Sequence, residues 1–258
     1  MIDLFSFETI VVALVVGIAS GAIGAFIILK RMALVGDALS HVALPGIALA
    51  LAYNIDPFWG VLVCCIAAAI IVWSLERKTR LYSDALVGIL FTFSLAIGIL
   101  AIPDEEVLHS LFGAFQPLSL PVFFFISGVG MLLIAATFVM AKRFLFSIIS
   151  PDLAYIESPK WSRLYDLILF IIFSCVVALG IKLVGTLLMG ALTIIPASIA
   201  KNISRSMGGY IVLSALFGGA ISLLGVIIAS QMEFLPGPSI ILLGIGVFVV
   251  SLFFTKKV

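Results

Sequence analysis

The stretch Leu34-Val35-Gly36-Asp37-Ala38-Leu39-Ser40-His41-Val42-Ala43-Leu44-Pro45-Gly46 sets an acid and a histidine four residues apart in a segment otherwise apolar enough to cross a membrane. Four residues is slightly more than one helical turn, so the Asp37 carboxylate and the His41 imidazole share one helix face, about 6 Å apart. An ionisable side chain near the bilayer centre costs about 2.5–3.5 kcal/mol on insertion scales, so a pair kept there needs a partner or a passenger. The pair supplies half of a metal site and reads as a passenger site.

Working outward, the rest of the chain supports the membrane setting. Apolar residues make up 64% of it and charged residues 10%, with a mean hydropathy of +1.36. A soluble domain is about 45–50% apolar and about 25% charged. The fold class expected is therefore all-α, a polytopic membrane protein in which residues 1–258 form one transmembrane domain. The near balance of 14 basic and 13 acidic residues argues against nucleic acid as a partner.

Apolar runs of about 18 or more residues lie at 9–29, 33–53, 58–75, 85–102, 121–141, 164–181, 183–200, 209–230 and 238–255. Nine spans are expected, or eight if the sixth and seventh, separated only by Lys182, form one interrupted element. With nine spans and the N-terminus outside, Lys30, Arg31, Arg77, Lys78, Arg80, Lys142, Arg143, Lys160, Arg163, Lys201, Arg205, Lys256 and Lys257 fall on one side. The opposite loops carry Asp3, Glu8, Asp56, Asp104, Glu105, Glu106 and Glu233, with Lys182 the single basic exception. The positive-inside rule then puts the C-terminus in the cytoplasm of a plasma-membrane protein. The N-terminus lacks a positive n-region and its first apolar run is long enough to remain as a helix, so no cleavable signal peptide is expected.

Within the second span Arg31 marks the cytoplasmic end, which puts Asp37 roughly 9 Å and His41 roughly 15 Å inward, the latter near the midplane. Pro45 has no amide hydrogen for the His41 carbonyl. The expectation is a helix interrupted there, with a third oxygen donor freed beside the pair, as transporters place substrate at the midplane on broken helices. An interhelical Asp-His hydrogen bond is the alternative role. Cys64, Cys65 and Cys175 lie within spans and read as small hydrophobes.

Two breaks are longer than the others. The outer one, 103–120, holds Asp104, Glu105, Glu106 and His109 and reads as a solvated loop or a short surface turn. The inner one, 142–163, mixes charges with Tyr155 and Trp161, a composition suited to the membrane interface or to contact with a cytoplasmic subunit. In the stretch from Leu183 to Ser206, Gly185 and Gly190 permit close packing. Pro196 is expected to break the run just before Lys201 and Arg205 and to leave a short helix along the inner surface, shaped to fit a groove in a soluble subunit.

The string from Leu34 to His41 followed by Leu44-Pro45-Gly46 resembles the signature of permease subunits of ABC-type importers of zinc, manganese and iron(II). Gly88-Ile89-Leu90-Phe91, Leu111-Phe112-Gly113, Lys182-Leu183-Val184-Gly185, Pro196-Ala197-Ser198-Ile199-Ala200 and Pro236-Gly237-Pro238-Ser239 are similar to the same family, in order along nearly the whole chain. The resemblance implies a homodimeric permease, two cytoplasmic ATPase subunits and an extracytoplasmic metal-binding protein. It implies a metal path through Asp37 and His41, and a coupling helix around Pro196 to Arg205 that includes Ala197, Ser198 and Lys201. Glu233 stands where the family commonly has an aspartate, which keeps the charge and makes it a candidate metal contact at the outer mouth.

The residues agree with that partner list in one respect. The chain has no Gly-Lys dipeptide and so no phosphate-binding loop of the G-x-x-x-x-G-K-[ST] type, which leaves ATP hydrolysis to another polypeptide. A gradient-driven carrier or channel using Asp37 and His41 as a proton relay is the alternative. No nucleophile, base and oxyanion constellation points to an enzyme, and no permanently bound cofactor is expected. One imidazole and one carboxylate suit zinc, manganese or iron(II) as the transported ion, and the lack of a thiolate cluster disfavours copper(I).

Two outcomes follow from the sequence. Cysteine labels at positions 104 and 160 should react from opposite sides of the membrane, and same-sided labelling would overturn the nine-span order. Because a ligating imidazole must be neutral and its reference pKa is about 6.5, metal uptake should fall as pH drops below roughly 6; a flat profile from pH 7 to 5 would remove His41 as a ligand.

Overall fold

Apolar runs bounded by Gly, Pro and short polar turns leave the backbone one way to satisfy its own polar groups in lipid, the helix. The computed structural model describes residues 7–79, 83–101, 111 and 120–254. Among them lie ten α-helices: α1 Phe7–Leu29, α2 Leu34–Ala52, α3 Pro57–Lys78, α4 Ser83–Ala101, α5 Leu120–Ile149, α6 Pro151–Glu157, α7 Pro159–Val184, α8 Met189–Ile203, α9 Met207–Met232 and α10 Pro236–Ser251. A 3₁₀ turn, Leu252–Phe254, follows α10. Seven of these helices are long and apolar enough to cross a membrane, while the apolar stretches Ala85–Gly98 and Met189–Ile203 are shorter. Asp3, Arg80, Lys256, Lys257 and the outer stretch holding Asp104, Glu105, Glu106 and His109 lie outside the described residues.

Helix α1 is the hub. It packs against α9, α8, α5 and α7, and Ile23, Phe26 and Ile27 are fully buried, as expected for a helix that is apolar all round. Lipid tails are as apolar as leucine, so packing shape rather than water exclusion joins membrane helices. Here the shape comes from small residues. A Cβ at Gly17 would meet the Gly218 carbonyl oxygen, one at Gly218 would meet that of Gly17, and one at Gly21 would meet the Ser214 carbonyl oxygen. The Ser214 hydroxyl donates to the Gly21 carbonyl, and the Tyr210 hydroxyl to that of Ala25 at 3.3 Å. Gly46 and Gly60 bring α2 and α3 together in the same way. By contrast, α5 exposes Phe124, Met131, Leu132 and Val139, a face suited to lipid.

Ion pairs mark the two ends of α7. Lys30 Nζ lies 3.0 Å from Asp166 Oδ1 and 4.8 Å from the Phe170 ring centroid, tying the end of α1 to the start of α7. At the other end Lys182 Nζ lies 3.7 Å from Asp56 Oδ1, and Asp56 also accepts from the Phe58 amide to cap α3.

Three breaks expected from sequence fall elsewhere. Lys182 does not separate two elements: it sits in the last turn of α7, where its long stem reaches the Asp56 carboxylate. The chain turns instead at Gly185, whose φ of 85° disfavours any residue with a Cβ, and α8 starts at Met189. Pro45 and Pro196 do not interrupt their helices, since α2 and α8 run through them; each proline removes one backbone bond, and the neighbouring turns and packed helices hold the rest. The inner stretch 142–163 is mostly helical. Helix α5 runs on through Lys142 and Arg143 to Ile149, and the stops are Ser150-Pro151 and Ser158-Pro159, where proline forces the preceding residue out of the helical region and opens the next helix at its first position.

Gly218→Val should destabilise the protein by about 1–3 kcal/mol, because the added carbons meet backbone that cannot rotate away. Gly88→Ala should be neutral or stabilising by up to about 1 kcal/mol, because a Cβ there meets nothing within 4 Å. Thermal unfolding of the purified variants in detergent checks the contrast; equal melting temperatures would show that the α1–α9 contact is not tight.

Candidate functional site

Asp37 lies in the first turn of α2, where a negative charge is favoured by the helix dipole. One turn on, the Ser40 hydroxyl donates back to the Asp37 carbonyl oxygen at 2.8 Å. The Asp37 carboxylate is half-buried and Oδ1 occupies the space a Cβ at Gly190 would need. Gly190 is the second residue of α8, so the carboxylate sits against the first turn of a second helix, again at a positive dipole end. The fit continues beside it: a Cβ at Gly36 would lie 3.3 Å from Thr193 Oγ1, and buried Thr193 donates to the Gly190 carbonyl at 2.7 Å. Gly190 is legible in the sequence as a close-packing residue. That its neighbour is Asp37, 153 positions earlier, has no local signal.

His41 is 6% exposed. Its ring meets that of Phe91 on α4 edge-on, with centroids 4.7 Å apart and planes at 82°, and Nδ1 has no hydrogen-bond partner among the described residues. A buried polar atom left unpaired costs about 1–3 kcal/mol, a cost that a water or a bound ligand at this nitrogen offsets. The aromatic contact fixes the ring plane. Neither Phe91 nor the Asp37–Gly190 contact was singled out as part of the site from sequence, although Phe91 falls within one of the family-like stretches.

Among the described residues no group of three or more His, Cys, Asp or Glu could hold a metal. One chain thus offers two side-chain donors one turn apart, Asp37 and His41. Glu233 is not with them. It is exposed, at the C-terminal cap of α9, with φ of 55°. The cysteines are free thiols, and Cys65, fully buried, donates to the Leu39 carbonyl at 3.4 Å, a packing role.

The segment expected to meet a soluble subunit divides in two. Pro196 and Ala197 are buried within α8, Ala197 completely, and the Ser198 hydroxyl donates to the Ile194 carbonyl at 2.9 Å. The surface portion is Lys201 to Ser206. There Lys201, Ser204, Arg205 and Ser206 line a hollow of about 310 Å³ together with Leu29 and Tyr210. No separate surface helix forms: α8 is continuous through Pro196 to Ile203, and the surface portion is its last turn and the non-helical link Ser204 to Ser206.

Comparison with known proteins places this geometry. Residues 3–255 match the model of the ABC 3 transport family. Manganese import system permease protein ScaB of Streptococcus gordonii is 34% identical over 257 residues, which are 97% of this chain and 91% of ScaB. High-affinity zinc uptake system membrane protein ZnuB of Haemophilus influenzae is 29% identical over 96% of each chain. Among solved structures, a chain of PsaBC from Streptococcus pneumoniae in complex with Fab matches with a TM-score of 0.83 and 33% identity, over 95% of this chain and 89% of that one. The motifs in register, the apolar helices and these likenesses agree: the chain belongs to the ABC 3 transport family and is a transporter component, not an enzyme.

Proposed function

We propose that this chain, acting over residues 1–258 as one transmembrane permease domain, is the membrane subunit of an ATP-driven importer of manganese or zinc, with iron(II) as a further cargo, and that the ion passes Asp37 and His41. The observation that carries the reading is the buried, unpartnered Nδ1 of His41, one turn from a half-buried carboxylate. A borderline divalent ion accepts this nitrogen and oxygen pair, and the names of ScaB and ZnuB, manganese and zinc respectively, fit the same donor set. Two donors are too few to strip a hydrated ion. A homodimer presents the pair twice about its two-fold axis and so doubles the set without a further ligand from either chain. Glu233, exposed at the far end of α9, acts in this scheme only as a carboxylate at the outer mouth.

The energy comes from elsewhere. Cytoplasmic ATPase subunits dock on the Lys201 to Ser206 turn, with buried Pro196 and Ala197 and half-buried Ser198 as the stem that carries its movement inward. An extracytoplasmic metal-binding protein delivers the ion, the N-terminus lies outside, and the C-terminus lies in the cytoplasm.

Asp37→Asn keeps the shape but deletes the charge that offsets a divalent cation, and His41→Ala deletes the nitrogen; each should lower metal uptake by about 100-fold or more with normal membrane insertion. Replacing a buried polar pair with apolar residues is often nearly neutral for stability, so Asp37→Leu with His41→Leu should still fold; uptake by that double variant near the wild-type rate would refute the metal path. Arg205→Glu should leave the chain assembled yet cut uptake per ATP hydrolysed by roughly tenfold, about the effect of one lost charged contact. Uptake by this chain alone in liposomes, with no ATPase subunit present, would establish the gradient-driven reading instead.

A further inference from the structure

The C-terminal end of α5, the short helix α6 and the first turn of α7 enclose a cavity of about 580 Å³ that the metal path does not use. Its level in the membrane follows from helix lengths. Helix α5 has 30 residues, about 45 Å at 1.5 Å per residue, against a hydrocarbon core about 30 Å thick. With 121–141 in the core, Lys142 to Ile149 stand at the head-group level, and so does the start of α7.

The lining has the chemistry of that level. Lys142 and Arg143 both face the cavity. Arg143 donates to the Tyr165 hydroxyl and lies 5.4 Å from its ring centroid, while Trp161 stacks on the same ring with centroids 6.0 Å apart and planes at 27°. Neither contact neutralises the guanidinium, and Lys142 makes no ion pair among the described residues. Ser158 caps α7 without a side-chain bond to its amides, which leaves its hydroxyl free for a ligand. Glu157 is the one carboxylate of the lining, so two cations against one acid give a net charge of +1. Phe146 of the lining is partly exposed, and Ile149 at the end of α5 and Leu153 and Ile156 on α6 are exposed too, apolar side chains suited to acyl chains.

We infer that this cavity binds the head group of an anionic phospholipid bearing hydroxyls, of the phosphatidylglycerol type. The phosphodiester sits on Lys142 and Arg143, and the glycerol hydroxyls donate to Glu157. Basic pockets between membrane helices with an interfacial aromatic belt are the physical form of such sites. The inference rests on the proposed orientation only for the leaflet named, the cytoplasmic one; the binding itself is independent of the metal path.

Native mass spectrometry of the full chain, released from nanodiscs of mixed phosphatidylglycerol and phosphatidylcholine, reads retained lipid directly. The wild type should hold phosphatidylglycerol about 30-fold over phosphatidylcholine, what two basic side chains contribute at a membrane surface. The Lys142→Gln/Arg143→Gln variant should lose that preference, Lys142→Arg should keep it, and Lys160→Gln, outside the lining, should not change it. The wild-type lipid titration stands even if the double variant does not fold. Equal retention of phosphatidylcholine or phosphatidylethanolamine would overturn the inference. So would displacement of the lipid by millimolar inorganic phosphate, which would assign the site to a free anion, or loss of the lipid on adding the ATPase subunit, which would assign the face to protein.

Discussion

The whole bundle depends on backbone meeting backbone where α1 crosses α9. Gly17 and Gly218 each point a bare Cα at the other's carbonyl, and at that distance dispersion and weak Cα–H contacts replace the water-driven force that lipid does not supply. Everything functional hangs from this crossing. Helix α1 also touches α8 through Gly24, whose Cβ would strike the Thr193 carbonyl, and Thr193 is the residue that lies beside Gly36 and bonds to Gly190. The register of α1 against α9 therefore reaches the Asp37 carboxylate in two steps.

The candidate site is built in the opposite style. Where the crossing removes side chains, the site keeps polar ones in an apolar surround and leaves one of them unpaired. Phe91 meets the imidazole edge-on while Nδ1 is unpaired among the described residues, and the first turns of two helices surround the carboxylate with partial positive charge. Among the described residues no lysine or arginine pairs with this carboxylate.

The sequence was most readable where periodicity and composition act alone. Apolar runs gave the helices because lipid permits little else, and the Asp37–His41 pair was visible because four residues on a helix is a short-range fact. Chain stops were less readable. Lysine was read as a break at 182, but a long flexible side chain at a helix end reaches water or an acid, whereas Gly185 stops the chain through a backbone angle that composition does not display. Proline was read as a break at 45 and 196, but one lost bond inside a packed bundle is small against the tertiary contacts around it. Contacts between distant elements, Asp37 with Gly190 and His41 with Phe91, were not readable at all, since no local pattern encodes which helix faces which.

Helix α8 has one property that its 15 residues make concrete. Its first turn carries Gly190, pressed against Asp37, and its last turn carries Lys201, exposed at the surface. A helix of that length is a strut of about 22 Å, stiff along its axis, so the carboxylate and the surface are two ends of one rod. The chain turns at Gly185, φ 85°, before the rod begins, and Pro196 lies inside it without interrupting it. A push on one end of such a strut arrives at the other as a displacement, so the Lys201 surface and the Asp37 contact are linked by the length of one helix.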